Sequence, residues 1–92
     1  RVAKWLAAGT DILFIDEPTV GIDVKTKGYL HELIIDLSKS GTTIVLISSD
    51  MPEMISLADR IIVMKNFIIK GEINNDHNYQ SMSSSIMEFI HD

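Results

Sequence analysis

The sequence predicts an α/β domain with a mostly parallel sheet, flanking helices and a small carboxyl-terminal hairpin. Two apolar runs, residues 12–15 and 42–47, have the composition of buried strands, and a stretch with helical periodicity lies between them. Strand, helix and strand together have the length of a βαβ unit. Because such crossovers are right-handed, we expect the two strands to be parallel.

The first eight residues are predicted to form a helix. Val2, Trp5 and Leu6 recur at helical spacing, and Gly9 ends the pattern before the first apolar run. The segment starts without Met and without a capping residue. We therefore expect the chain to be cut from something longer.

The central helix has one apolar face and one charged face. Asp23 has the side chain of an amino-terminal cap, and Gly41 is placed to end the helix. The strand that follows, residues 42–47, is β-branched and lacks alternation, which is typical of a strand covered on both faces. The apolar face of the helix consists of Leu30, Leu33, Ile34 and Leu37.

The second half of the chain predicts a short helix, a hairpin and a last helix. Asp50 and Pro52 have the residue types that begin a helix. A hairpin is predicted over residues 61–72, with its turn at Lys65-Asn66. The last helix, residues 79–90, carries an apolar stripe that faces either the core or a partner.

Composition excludes several classes of protein. The 92 residues carry 8 basic and 13 acidic side chains, a formal net charge of −5, so an independent nucleic-acid-binding module is not expected. There is no cysteine, which excludes a disulfide framework and fits a reducing cytoplasm. The apolar runs are too short to cross a bilayer, and we expect any membrane connection to go through another protein.

The residues with the clearest chemistry are two adjacent acids, Asp16 and Glu17, directly after the first apolar run. Acids at the carboxyl end of a parallel strand face the ligand crevice of an α/β sheet. One carboxylate can hold Mg²⁺ while the other orients and deprotonates a water, as phosphoryl transfer requires. The alternative interpretation is a solvated strand end.

Residues 12–19, Ile-Leu-Phe-Ile-Asp-Glu-Pro-Thr, resemble the Walker B strand of ABC-type ATPases, which have a P-loop NTPase fold. Gly21-Ile22-Asp23 stands where these ATPases have their D-loop. Residues 44–53 resemble the strand and switch segment, and residues 58–64 the segment after it. Residues 1–8 look like the helix that follows the signature motif of the family.

Within this superfamily, residues 17–24 and 46–53 resemble the second ATPase half of bacterial monosaccharide importers of the ribose and galactose type. The resemblance implies that residues 1–92 are the carboxyl-terminal portion of one nucleotide-binding domain. It also implies ATP hydrolysis at sites shared with a second ATPase half. The implied partners are a membrane permease and, indirectly, a sugar-binding protein, with the ATPase peripheral on the cytoplasmic face of the membrane.

Carried over by position, the resemblance gives four residues a role. Asp16 would be the Mg²⁺-linked acid, Glu17 the general base, and Asp23 the D-loop residue that communicates across the ATPase dimer. Ser49 stands at the switch position, where most ABC ATPases place a His that contacts the γ-phosphate of ATP. It is interpreted either as such a phosphate contact or as an ordinary turn residue.

The sequence departs from the family pattern in two further respects. Phe67 stands where relatives often have Gly in the hairpin turn, so the demand for positive φ is expected to fall on Asn66. The 92 residues contain neither a G-x-x-x-x-G-K-[ST] phosphate loop nor the signature motif. We therefore expect the isolated chain neither to bind Mg-ATP tightly nor to hydrolyse it.

Two alternatives to an ATPase segment stay open at this stage. The chain could be an inactive fragment or interaction module that keeps the fold, and a hydrophobic sheet edge would then favour self-association. A chromosome-maintenance or repair ATPase would share the Walker B and D-loop residues. It would need a basic surface, which the composition does not provide.

Overall fold

The computed structural model describes residues 2–7 and 10–91, with side chains from residue 12 onward. The chain divides into two compact units, Arg1–Ser49 and Asp50–Asp92. The first unit contains four elements and the second unit another four, and each is described by itself. In the part of the chain described here, no helix is both long and apolar enough to cross a membrane.

The first unit is a three-stranded sheet with one helix. Its elements are β1 (Val2–Ala7), β2 (Thr10–Asp16), α1 (Val24–Lys39) and β3 (Thr43–Ile47). The strand order is β1-β2-β3, and β2 pairs with β3 in parallel. The predicted βαβ unit is therefore confirmed, and Gly41 follows the helix with a φ of 104°, as its stop function requires.

The predicted helix over the first eight residues is wrong where the structure describes it. Residues 2–7 form strand β1, which runs antiparallel to β2 from Val2 opposite Ile15 to Ala7 opposite Thr10. Six residues make a poor isolated helix because nucleation is costly. The unpaired backbone groups along the edge of β2 offer the same residues a ladder of hydrogen bonds. The sheet thus combines one parallel and one antiparallel pair.

Only one face of the sheet is covered within this unit. Leu13 and Ile15 of β2 are buried on the side where Ile34 of α1 is also buried. On the other side Val45 and Ile47 of β3 are 40% and 53% exposed. The prediction of a strand covered on both faces is therefore wrong for β3, because within these residues the only helix of the unit lies on one side.

Packing between α1 and β2 is incomplete. An apolar cleft of about 200 Å³ lies between them. A void of this kind forfeits dispersion contacts of the side chains around it, so the first unit has a weak core. The cleft is lined by Leu13, Ile15, Pro18, Leu30, Leu33, Ile34 and Leu37.

The second unit is a hairpin packed with two helices around one core, and this core is better closed. Its elements are α2 (Met51–Leu57), β4 (Arg60–Lys65), β5 (Ile68–Asn74) and α3 (Tyr79–Ile90). The predicted short helix, hairpin and last helix are all present, and the apolar stripe of α3 faces the core. The buried residues of this core are Ile55, Ile61, Val63, Met82 and Ile86.

The turn of the hairpin differs from the prediction. Lys65 pairs with Ile68, so the two turn residues are Asn66 and Phe67 rather than Lys65 and Asn66. Both turn residues have positive φ, 53° and 64°, as a type I′ turn demands. Asn tolerates this conformation, but a side chain such as Phe clashes with its own backbone there. The ring of Phe67 is fully exposed and gains nothing by packing.

Phe67→Gly is expected to stabilise the second unit. Glycine accepts positive φ without the steric cost, which is roughly 1 kcal/mol or somewhat more for other residues. The free energy of unfolding, followed by NMR signals of the second unit during urea titration, should rise by about that amount. Phe67→Ala is the control: it removes the same ring but keeps the β-carbon, and should bring no comparable gain. An equal gain in both variants would contradict the backbone explanation.

Gly71 of β5 lies directly under the aromatic ring of Phe89 in α3. A β-carbon built at Gly71 would overlap that ring, so the absence of a side chain lets the helix approach the strand. This contact sits beside the buried core of the unit, where Phe89 packs against the cluster.

Gly71→Ala should therefore lower the free energy of unfolding of the second unit by about 1–3 kcal/mol, the usual cost of overpacking. Gly28→Ala in α1 is the matched control, because nothing lies within 4 Å of its added methyl group. In a helix interior alanine is favoured over glycine, and we expect a gain of roughly 0.5–1 kcal/mol in the first unit. Urea titration, followed separately for the two units, measures both changes in the free energy of unfolding: the loss in Gly71→Ala and the gain in Gly28→Ala. A Gly71→Ala protein as stable as the original would contradict the packing argument.

Candidate functional site

The candidate site lies at the carboxyl ends of β2 and β3. Asp16, the last residue of β2, is level with Ile47, the last residue of β3. The next backbone amide, that of Glu17, donates a hydrogen bond of 2.7 Å to the carbonyl oxygen of Ile47. The residues that follow each strand, Glu17 on one and Ser49 on the other, are thereby brought to the same edge of the sheet.

Glu17 and Ser49 are in direct contact. The backbone amide of Ser49 donates a short hydrogen bond of 2.5 Å to Oε1 of Glu17, and the Ser49 hydroxyl donates one of 2.8 Å to Oε2. Each carboxylate oxygen therefore has its own donor. The sequence alone did not predict this contact, because the two residues are 32 positions apart and only the strand register makes them neighbours.

Glu17 also has an unusual backbone. Its φ is 50°, in the left-handed region that residues with a β-carbon seldom adopt. The conformation ends the extended chain of β2 immediately after Asp16. Asp16 is exposed, while Glu17 is half-buried and directed to Ser49. The two acids therefore differ in their exposure and in the groups that they face.

Asp16 fits the requirements of a single-carboxylate Mg²⁺ ligand. Its oxygens are hard donors at an exposed strand end, and Mg²⁺ in phosphoryl-transfer sites usually takes one or two carboxylates together with substrate phosphates and water. Within the described ranges, no three His, Cys, Asp or Glu side chains form a metal-binding group.

Asp23 is separate from this cluster and caps α1. Its two carboxylate oxygens accept hydrogen bonds from the Thr26 amide, at 2.9 Å, and from the Thr26 hydroxyl, at 3.3 Å. The backbone hydrogen bond from Thr26, followed by the hydroxyl, holds the pKa of Asp23 below its usual value of 3.8. The cap therefore stabilises the helix above that pH, and the stabilisation is lost as pH falls below it.

Comparison with known proteins gives a consistent result. The chain is 48% identical over 87 residues to the ribose import ATP-binding protein RbsA of Clostridium perfringens strain 13, a match to 95% of this chain and 17% of the relative. It is 42% identical over 80 residues to the galactose/methyl galactoside import ATP-binding protein MglA of Escherichia coli O6:H1, covering 87% of this chain and 16% of that protein. This chain is homologous to sugar-import ATP-binding proteins.

A third relative and a solved structure give a similar result. The arabinose import ATP-binding protein AraG of Azospirillum brasilense is 45% identical over 76 residues, which are 83% of this chain and 15% of AraG. An ATP-binding cassette of an ABC transporter, MJ1267, superposes with a TM-score of 0.69 at 19% identity, over 88% of this chain and 33% of that one. At this identity the superposition shows the fold alone, which is that of part of an ABC ATPase domain. No family model matches the chain.

The resemblance inferred from residues 12–19 and 44–53 is therefore confirmed: the chain is homologous to sugar-import ATP-binding proteins and has the fold of part of an ABC ATPase domain. The chain spans only 15–17% of the length of the sugar-import ATP-binding proteins described above. The roles of Asp16, Glu17, Asp23 and Ser49 stay predictions, since homology does not by itself assign a role to a residue.

Proposed function

We propose that this chain supplies the Walker B carboxylates of an ATP-hydrolysing site that powers carbohydrate import. The observation that supports the proposal is the position of Asp16 and Glu17 at the end of β2, level with the end of β3, in a chain homologous to sugar-import ATP-binding proteins. Acids at the carboxyl end of a parallel strand are where an α/β sheet binds its ligand.

The two acids would divide the work of phosphoryl transfer. Mg²⁺, when bound with ATP, would neutralise charge on the phosphates, and Asp16 would be the residue of this chain that holds it. Glu17 would orient the attacking water and accept its proton, which requires a carboxylate held within hydrogen-bond reach of that water. The D-loop role of Asp23 across an ATPase dimer would be additional to its function as a helix cap.

The proposed partners follow from the names of the relatives. An ATP-binding protein for import of a sugar would act with a second ATPase half and with membrane permease subunits, and indirectly with a sugar-binding protein. It would be cytoplasmic and peripheral at the inner face of the membrane. The relatives include ribose, galactose and arabinose importers, so the proposed cargo class is monosaccharide. No nucleic-acid partner is proposed, in keeping with the net charge of −5.

The roles of the two acids can be separated in a chimera. Residues 10–74 would replace the matching segment of the Clostridium perfringens ribose import ATP-binding protein, so that the rest of the ATPase is present. Glu17→Gln should keep nucleotide affinity while single-turnover hydrolysis at this site falls by about 10² to 10⁴, the usual value of general-base assistance. Asp16→Asn should instead weaken Mg²⁺-dependent nucleotide binding, because charge next to the cation is lost.

Glu32→Gln, an identical change at an exposed position of α1, is the control and should alter neither nucleotide affinity nor single-turnover hydrolysis. The partner ATPase site must be inactivated so that the measured turnover belongs to this one. Unchanged single-turnover hydrolysis in the Glu17→Gln chimera would exclude Glu17 as the base. A chimera that binds and hydrolyses no nucleotide even with both acids present would favour the inactive-module alternative.

The open face of the first sheet supports a second proposal, that the isolated chain self-associates. Phe14, Val45 and Ile47 expose apolar surface on the side of the sheet opposite to Leu13 and Ile15. An exposed apolar face of this kind is a surface through which two copies can associate.

Sedimentation velocity is expected to show species larger than a monomer at micromolar concentration. The double variant Val45→Thr with Ile47→Thr should shift the distribution to monomer, because threonine keeps the β-branched shape and adds a hydroxyl. Val24→Thr is the control, since that valine is 86% exposed at the start of α1 and lies away from the face. A strictly monomeric original chain would refute self-association.

A further inference from the structure

The contact between Ser49 and Glu17 uses every hydrogen-bond donor that Ser49 has. A serine offers one hydroxyl hydrogen and one backbone amide hydrogen. The structure commits the amide to Oε1 of Glu17 and the hydroxyl to Oε2. In this arrangement neither hydrogen is available to a phosphate oxygen, so the geometry does not favour Ser49 as a phosphate contact.

An ordinary turn residue does not fit the geometry either. A serine in a turn usually bonds its own or a neighbouring backbone group a few residues away. The acceptor of the Ser49 hydroxyl is a carboxylate 32 positions distant, on the turn that follows a different strand. Hydrogen bonds to a charged acceptor are the stronger kind, and the two bonds here are both directed to one carboxylate.

The two-point contact restrains a side chain that is otherwise mobile. Glutamate has three side-chain torsions and loses more rotamer freedom on ordering than most residues. Two donors on two oxygens fix both the position and the plane of the carboxylate. Each oxygen of a carboxylate can accept two hydrogen bonds, so one lone pair per oxygen is left for a water.

We infer that Ser49 is a positioning residue, which holds the Glu17 carboxylate in one orientation before any nucleotide is bound. Its relevance to catalysis rests on the proposed function, in which Glu17 is the general base. The positioning itself does not, because the two hydrogen bonds involve only Glu17 and Ser49. The backbone strain at Glu17 and the 2.7 Å bond from its amide to Ile47 fix the start of the side chain, and Ser49 fixes its end.

The test is an NMR measurement on the 92-residue chain without nucleotide. Three-bond couplings and methylene relaxation report whether the Glu17 side chain occupies one rotamer or several. We expect one rotamer in the original chain and averaging in Ser49→Ala, which lacks the hydroxyl. Ser49→Thr restores a hydroxyl at the same carbon and should restore the single rotamer. Ser38→Ala removes a hydroxyl from an exposed position of α1 in the same unit and should leave Glu17 unchanged.

The same contact can be measured from the other side. Glu17→Ala removes both acceptors, and exchange of the Ser49 amide hydrogen should become about tenfold faster, as expected for loss of one hydrogen bond of ordinary net strength. This second measurement decides the question if Ser49→Ala fails to fold.

Two results would overturn the inference: an averaged Glu17 side chain in the original chain, or a single rotamer that persists in Ser49→Ala. Likewise, an unchanged exchange rate of the Ser49 amide hydrogen in Glu17→Ala would show that the contact does not protect this hydrogen from exchange. None of these measurements involves ATP. A failure of the ATPase experiment on the chimera therefore leaves the positioning of Glu17 standing, and the reverse also holds.

Discussion

The parallel register between β2 and β3 is the constraint on which the candidate site depends. It places Asp16 level with Ile47, which lets the Glu17 amide reach the Ile47 carbonyl oxygen and brings Ser49 to the Glu17 carboxylate. A slip of one residue would turn every side chain of one strand to the opposite face and separate the two strand ends. The chemistry of the site is thus set by backbone pairing more than by any single side chain.

The sequence predicted those features that depend on local pattern. The apolar run before Asp16, the amphipathic helix α1, the caps Asp23 and Asp50 and the last helix α3 all have signatures within one or two turns of chain. The three errors depend on what surrounds a segment. Residues 2–7 form a strand because an edge of β2 is open to them, and β3 has one bare face because, among the described residues of its unit, α1 covers only the opposite face. The turn lies at Asn66 and Phe67 because Lys65 pairs with Ile68. The residue types around the turn did not indicate this pairing.

The candidate site was predictable in its residues but not in its contacts. Asp16, Glu17 and Ser49 follow from strand ends and from family resemblance, whereas the hydrogen bonds between Glu17 and Ser49 need the register of two strands separated by a helix. The two units also differ in how they use their apolar residues. The second unit closes a core around Ile55, Ile61 and Met82, while the first leaves a cleft under α1 and a bare sheet face. The two acids therefore belong to the less well-packed unit of a chain that spans 15–17% of the length of its relatives.

The shortness of the Ser49 side chain has a mechanical consequence. One carbon and one oxygen separate its hydroxyl hydrogen from the backbone, so the chain after β3 must itself come close to Glu17 for the contact to form. A longer residue could compensate for a displaced strand by changing its rotamer, but serine has no torsion with which to lengthen its reach. Any change in the spacing between the ends of β2 and β3 therefore has to be taken up by the torsions of the Glu17 side chain, because Ser49 cannot lengthen its reach. The contact therefore couples the orientation of the Glu17 carboxylate to the spacing between the ends of β2 and β3.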